Sequence, residues 1–277
     1  MNKKIIVIGE RSNLSNEINK FIKDTILIPT IKIERLEKIL SKNEKYTIIY
    51  NTSCKSTLIN ELIDPKLFSY YSFDHLSEFI KICLRYQSRI NQIIYTSSSS
   101  VYGNNKFAKE ESNCNITNIY ASLKFSSELL LKKYILPSKI KLVITRIFNM
   151  YGGNDQFSIV SKILNALKTN ETLKISNGGE SIRDFINIQD VVEIYKILIL
   201  KEFSGLINIS TGRGYSIKEL IEIAELIFDK KLNIETKKVK EIEISIGSNI
   251  KLKKISNINN RFITIPDYYK KVFNTLK

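Results

Sequence analysis

The chain is 277 residues long and 43% hydrophobic, with 43 Lys and Arg against 28 Asp and Glu for a formal charge of +15. That apolar content fills one large domain or two small ones and excludes a disordered chain, and no run reaches the roughly 18 uncharged apolar residues that cross a bilayer. The charge is spread along the whole chain among many Ile and Asn, without a Lys/Arg block carrying interleaved aromatics, so nucleic acid and membrane insertion are set aside in favour of an anionic small molecule such as a nucleotide.

Met1-Asn2-Lys3-Lys4 leads straight into a strand-like run instead of a signal-peptide core, and the chain reads as cytoplasmic. Short β-rich runs at residues 3–9, 25–30, 46–51, 92–98 and 141–147 alternate with amphipathic stretches, among them predicted helices at 74–86 and 119–136. Apolar strands alternating with helices predict an α/β fold whose doubly wound parallel sheet is covered on both faces, with ligands at the carboxyl ends of the strands. After Tyr151 the pattern changes to helix, short strand, RDFINIQD and a second helix. That last helix opens on a capping box at Ser216 and Glu219, and its Ile217, Leu220, Ile221, Ala224 and Ile227 recur at helical spacing as a core stripe.

Chemistry gathers in TSSSSVYG, residues 96–103, and NIYASLK, residues 118–124. Tyr120 and Lys124 lie four apart, on one face of the predicted helix. A free tyrosine, with a pKa of about 10, is a poor acid or base near neutrality, and a neighbouring ammonium favours its phenolate. Such a pair suits proton exchange with a sugar hydroxyl or carbonyl oxygen while a hydride moves at the carbon, with a nearby serine hydroxyl holding the oxygen. A Tyr-x-x-x-Lys alone arises often by chance.

Several motifs in order strengthen the pair: SSSSVYG at 97–103, YASLK at 120–124, TRIFNMYG at 145–152, RDFINIQDV at 183–191 and INISTGRGYSIKEL at 207–220. In these the sequence resembles the extended short-chain dehydrogenase/reductases that act on nucleotide sugars. The resemblance implies a Rossmann-type dinucleotide-binding domain of residues 1–150 and 184–212, and a smaller C-terminal α/β substrate domain of residues 151–183 and 213–277. It implies Ser98, Tyr120 and Lys124 as catalytic residues. Gly9, Arg11, Ser12, Asn13, Leu14, Asn51, Thr52, Ser97 and Phe148 then join Tyr120 and Lys124 on the cofactor. Ser98, Ser99, Ser100, Asn149 and Arg183 meet the substrate, the last two at its phosphates. The resemblance also implies a homodimer built from the helices near 74–86 and 119–136.

The sequence departs from the family in three places. Relatives that dehydrate hexoses carry acidic residues directly after the catalytic Ser/Thr; here stand Ser99 and Ser100, which disfavours a 4,6-dehydratase. The family's glycine fingerprint survives only at Gly9, with Ser12 and Ser15 in the other two places, where a Cβ is expected to hinder the pyrophosphate and helix packing and to loosen the cofactor. The second strand lacks the acidic residue that binds an NAD ribose; Lys32 and Arg35 point instead to NADP, although chance placement on a lysine-rich chain explains them equally well.

Cys54, Cys83 and Cys114 lack a metal-type spacing and read as free thiols, so no metal site is expected. His75 is assigned a surface or capping role, and Asp184 and Asp190 a backbone-capping one. The leading expectation is an NAD(P)-dependent reductase acting at C4 of a 4-keto-6-deoxy nucleotide sugar. A nucleotide-sugar C4 epimerase is the alternative, and a non-catalytic dinucleotide sensor on the same fold comes third.

Overall fold

The computed structural model describes residues 4–51, 66, 70–256 and 262–276. Its main sheet has six strands: β1 (Lys4–Ile8), β2 (Thr25–Ile28), β3 (Tyr46–Tyr50), β4 (Ile90–Ser98), β6 (Lys141–Ile147) and β10 (Gly205–Ile209), in the spatial order β10-β6-β4-β3-β1-β2. β1 pairs in parallel with both β2 and β3, and β3 with β4. Ile5 to Ile8 of β1 and all of β3 are buried, as a parallel sheet covered on both faces requires. The five strands expected from the sequence are all present.

Three helices pack beside this sheet. In α1 (Asn13–Phe21) Leu14 and Ile18 face inward; α2 (Arg35–Leu40) contributes Leu36 and Leu40, and α3 (His75–Arg85) contributes Leu76, Phe79 and Cys83. Leu131 of α4 (Ile119–Tyr134) closes the same cluster. α3 and α4 lie where the sequence placed them, to within two residues at each end.

The described residues group into two compact units. The first comprises Met1–Val101, Cys114–Arg146 and Val192–Ile207; the second comprises Tyr102–Asn113, Ile147–Val191 and Asn208–Lys277. The second holds a five-stranded sheet in which β9 (Ile182–Asn187) lies between β11 (Gly214–Ser216) and β13 (Ile244–Gly247), β13 pairs with β5 (Asn105–Ala108), and β7 (Asn149–Tyr151) pairs with β9. A two-stranded sheet of β8 (Leu173–Ser176) and β12 (Ile234–Lys237) lies apart.

These limits differ from the sequence expectation, which put residues 102–113, 147–150, 184–191 and 208–212 with the first unit. The reason is pairing: β9 is held by three strands of the second sheet, and β5 crosses to join it. A core of its own fills this unit, with Val160, Ile163 and Leu167 of α5 (Ile159–Thr169) against Leu220, Ile221 and Ala224 of α7 (Ile217–Phe228) and Tyr269 of α9 (Ile265–Leu276), α6 (Ile188–Leu200) and α8 (Ile250–Ser256) completing the helices named here. The capping box at Ser216 and Glu219 is formed in both directions, at 3.0 and 2.6 Å. No helix among the described residues is long and apolar enough to cross a membrane.

Candidate active site

The last three residues of β4 each engage a different turn of α4. Asn118 caps that helix by accepting from the Ala121 amide at 2.9 Å, which sets Tyr120, Lys124 and Glu128 in register on one face. The Ser98 side chain neighbours the Tyr120 hydroxyl and acts to lower its pKa. Lys124 Nζ donates to the Thr96 carbonyl at 2.7 Å, and the Ser97 hydroxyl donates to Glu128. The structure thus brings together the three residues expected to be catalytic, in the first unit.

Charge is unusually deep here. Lys124 is 4% exposed, and its Nζ lies 5.2 Å from the Tyr95 ring centroid and 5.9 Å from that of Tyr120. Burial pushes its pKa down to about 8, against the opposing pull of the Glu128 charge. Glu128 is fully buried and held by Arg146 through Nε at 3.0 Å and Nη2 at 2.7 Å. The pKa of Tyr120 is raised, because burial outweighs the Ser98 side chain that lowers it. The sequence reading had Lys124 lower that pKa; in this geometry the ammonium spends its hydrogen bond on Thr96, and Tyr120 is a phenol at neutral pH.

Ser99 and Ser100 continue from β4 into a short 3₁₀ turn, where the Ser100 amide donates to Ser98 Oγ at 3.2 Å. That bond fixes the Ser98 rotamer. No carboxylate follows the serine.

At the carboxyl end of β1, Gly9 has φ of 108°, a conformation side chains avoid, whereas Ser12 sits at φ −79° and ψ 148°, open to any residue. Ser12 caps α1 by accepting from the Ser15 amide at 3.0 Å, and Asn51, just past β3, donates Nδ2 to Ser15 Oγ at 2.8 Å and also to Ser12 Oγ. Ser15 is fully buried in the first turn of α1, and its hydroxyl oxygen accepts from the Ser12 hydroxyl at 2.9 Å. Arg11 is exposed, Asn13 is half-buried, and Leu14 is buried, so only its backbone amide faces a ligand. Thr52 and Cys54 lie outside the described residues.

The remaining expected residues belong to the second unit. Phe148 is buried, stacked on Tyr102 with ring centroids 6.3 Å apart, and offers little side-chain surface to a cofactor. Asn149 donates to the Asp184 carbonyl at 2.9 Å. Arg183 is committed to its own unit: it meets Glu241 at 3.2 Å and the carbonyls of Ile182, Ile242 and Glu243. A phosphate at Arg183 must compete with those partners. The Asp184 carboxylate accepts from the amides of Thr211 and Gly212 at 2.9 Å, from the Thr211 hydroxyl at 2.6 Å and from the Gly247 amide at 3.3 Å, the backbone role its sequence suggested. Asp190 likewise accepts from the Ile263 amide. His75 is buried, not a surface residue, and packs edge-on to Tyr70 at 4.7 Å.

Sequence reasoning missed Glu128 and Arg146. A signal existed: Glu128 shares the helical face of Tyr120 and Lys124, and Arg146 interrupts an otherwise apolar strand, where a charge requires a partner. Among the described residues no group of three or more His, Cys, Asp and Glu is placed to hold a metal ion.

Comparison with known proteins places this geometry. The model of the NAD dependent epimerase/dehydratase family matches residues 1–210. The chain belongs to that family. It is 29% identical over 246 residues to an ADP-L-glycero-D-manno-heptose-6-epimerase of Brachyspira hyodysenteriae, covering 83% of this chain and 75% of that one. It is also 29% identical over 235 residues to a dTDP-D-glucose 4,6-dehydratase of Dictyostelium discoideum, covering 76% of this chain but only 52%, about half, of the relative. The fold is shared with the UDP-glucose 4-epimerase of Thermus thermophilus in complex with NAD, at a TM-score of 0.86 and 15% identity over 98% of both chains. Because a dehydratase stands among the relatives, family membership gives no support to setting dehydration aside.

Proposed function

We propose that this chain moves a hydride at C4 of a nucleotide-activated sugar, and that the net reaction is reduction of a 4-keto-6-deoxy sugar. The observation that carries the reading is the half-buried, protonated Tyr120 beside Ser98, with the buried Lys124 ammonium 5.9 Å from its ring centroid. A phenol is the form required to protonate a carbonyl oxygen as it becomes an alcohol. In this account Ser98 holds that oxygen, Tyr120 delivers the proton to it, and Lys124 keeps positive charge beside the tyrosine, so that the phenolate left behind is stabilised.

The residues present fit a nicotinamide dinucleotide. Gly9 makes the tight turn after β1, α1 follows at once with no acidic residue in its first turn, and its N-terminal amides suit a pyrophosphate. When bound, such a cofactor supplies or accepts the hydride. Gly9, Ser12, Asn13 and Leu14 would hold it at that end through their backbone, with Asn51 acting through the two serines it bonds and with Ser97, Tyr120 and Lys124 nearer the chemistry. Lys32 and Arg35 are exposed beyond β2, and we take NADPH as the preferred form.

Epimerisation at C4 is the second reading, and two observations favour it. The Brachyspira relative is named a heptose-6-epimerase, which supports epimerisation as a reaction class but not its position at C4, and neither Ser12 nor Ser15 has a positive φ, so neither place demands a glycine's backbone. Elimination of water is set aside on Ser99 and Ser100 alone, since neither donates a proton to a leaving hydroxyl near neutrality. The test is to supply the purified protein with NADPH or NADH and a panel of nucleotide sugars. Oxidation of the reduced dinucleotide only with 4-keto sugars supports the reductase; interconversion of C4 epimers with tightly retained NAD replaces it with the epimerase.

A further inference from the structure

We propose that Ser12, Ser15 and Asn51 form a hydrogen-bonded clasp that takes over the task of the two missing glycines and sets the affinity for the dinucleotide. The inference rests on the reading of this chain as a nicotinamide-dependent enzyme. A fingerprint glycine is needed either for a positive φ or for the absence of a side chain. Only Gly9 needs the first, at φ 108°. The other two places need the second, and here the side chains are restrained instead of absent.

The three side chains are joined by four hydrogen bonds. Asn51 Nδ2 has two hydrogens, one for each serine oxygen. The Ser12 hydroxyl donates to Ser15 Oγ at 2.9 Å while its oxygen receives the Ser15 amide at 3.0 Å. Asn51 is itself fixed by its backbone amide, which donates to the Ile8 carbonyl at 2.9 Å, so the clasp ties the end of β1, the end of β3 and the first turn of α1. With each serine oxygen held by bonds inside the turn, neither side chain is free to swing towards an incoming pyrophosphate. Asn51 is therefore a positioning residue that acts on the cofactor through the serines.

The test measures dissociation constants for NADPH and NADH by titration calorimetry in four proteins: wild type, Asn51→Ala, Ser12→Gly/Ser15→Gly and the triple variant, each checked for folding by thermal melting. Asn51→Ala is expected to weaken binding by about tenfold in the wild-type background, the scale of one or two lost hydrogen bonds, and by less than about twofold once both serines are glycine. A purely structural or directly ligand-touching Asn51 would cost the same in both backgrounds, and that result, or no loss in either, overturns the proposal. Should Asn51→Ala fail to fold, Ser12→Ala keeps the Cβ without the bonded oxygen and is expected to bind weakly where Ser12→Gly does not; wild-type affinity in Ser12→Ala overturns the clasp. Binding only by the diglycine variant overturns the clasp but keeps the nicotinamide reading. No binding by any of the four overturns both.

Discussion

Tyr120 becomes useful only through what surrounds it. The four-residue helical spacing made the Tyr120/Lys124 pair legible, whereas Ser98 was singled out among four serines, and all three were assigned to catalysis, through the resemblance of the ordered motifs. The depth of the site was not legible, and depth decides the protonation states. A lysine whose folded pKa is depressed carries a penalty while charged. Between pH about 8 and the ordinary lysine value of 10.5 the folded chain has released a proton that the unfolded chain still holds, so the Lys124 contribution to stability rises with pH across that window. Melting curves at several pH values should show this rise in the wild type relative to Lys124→Met; a parallel pH dependence in the two would contradict the burial argument. At the β1 turn, Gly9→Ala is expected to cost about 1–3 kcal/mol because of its positive φ, whereas Ser12→Gly should cost only a few tenths. Urea unfolding distinguishes them.

At the scale of elements, β4 and α4 act as one unit. Thr96 and Ser97 bond to Lys124 and Glu128 in turn and Ser98 lies beside Tyr120, so the end of the strand is registered to the helix by two hydrogen bonds and an adjacent contact. Glu128 is the structural keystone, since it also binds Arg146. Glu128→Ala leaves that guanidinium buried without its carboxylate and should cost about 3–5 kcal/mol in urea unfolding. Glu128→Ala/Arg146→Met, which removes both charges, should recover most of the loss; equal instability in the single and double variants would show that the pair is not the cause. The strands and helices were legible from periodicity. β5 was not, because NKFA carries little apolar signal and forms only when β13 offers an edge.

For the whole molecule, the parallel sheet covered on both faces and five of its six strands follow from the alternation of apolar strands and helices, while the strand order, the sixth strand β10 and the limits of the second unit, which draws on segments from three parts of the chain, follow from pairing that no local pattern records. The helix expected to dimerise leaves Leu129 and Tyr134 exposed, each at 50%, and Leu136 just past its end at 60%, which is apolar surface a partner would cover. Light scattering on the wild type should give twice the 32.0 kDa chain mass, and Leu129→Glu should halve it; an unchanged mass in the variant would place the interface elsewhere.

The central claim is that Tyr120 carries the proton while a hydride moves. It is tested most directly by comparing wild type with Tyr120→Phe, using the near-ultraviolet absorbance of reduced nicotinamide under single-turnover conditions together with the dinucleotide dissociation constant. The account predicts that hydride transfer falls by about 10²–10⁴-fold while the dissociation constant stays within about threefold. Hydride transfer at the wild-type rate in Tyr120→Phe would contradict it.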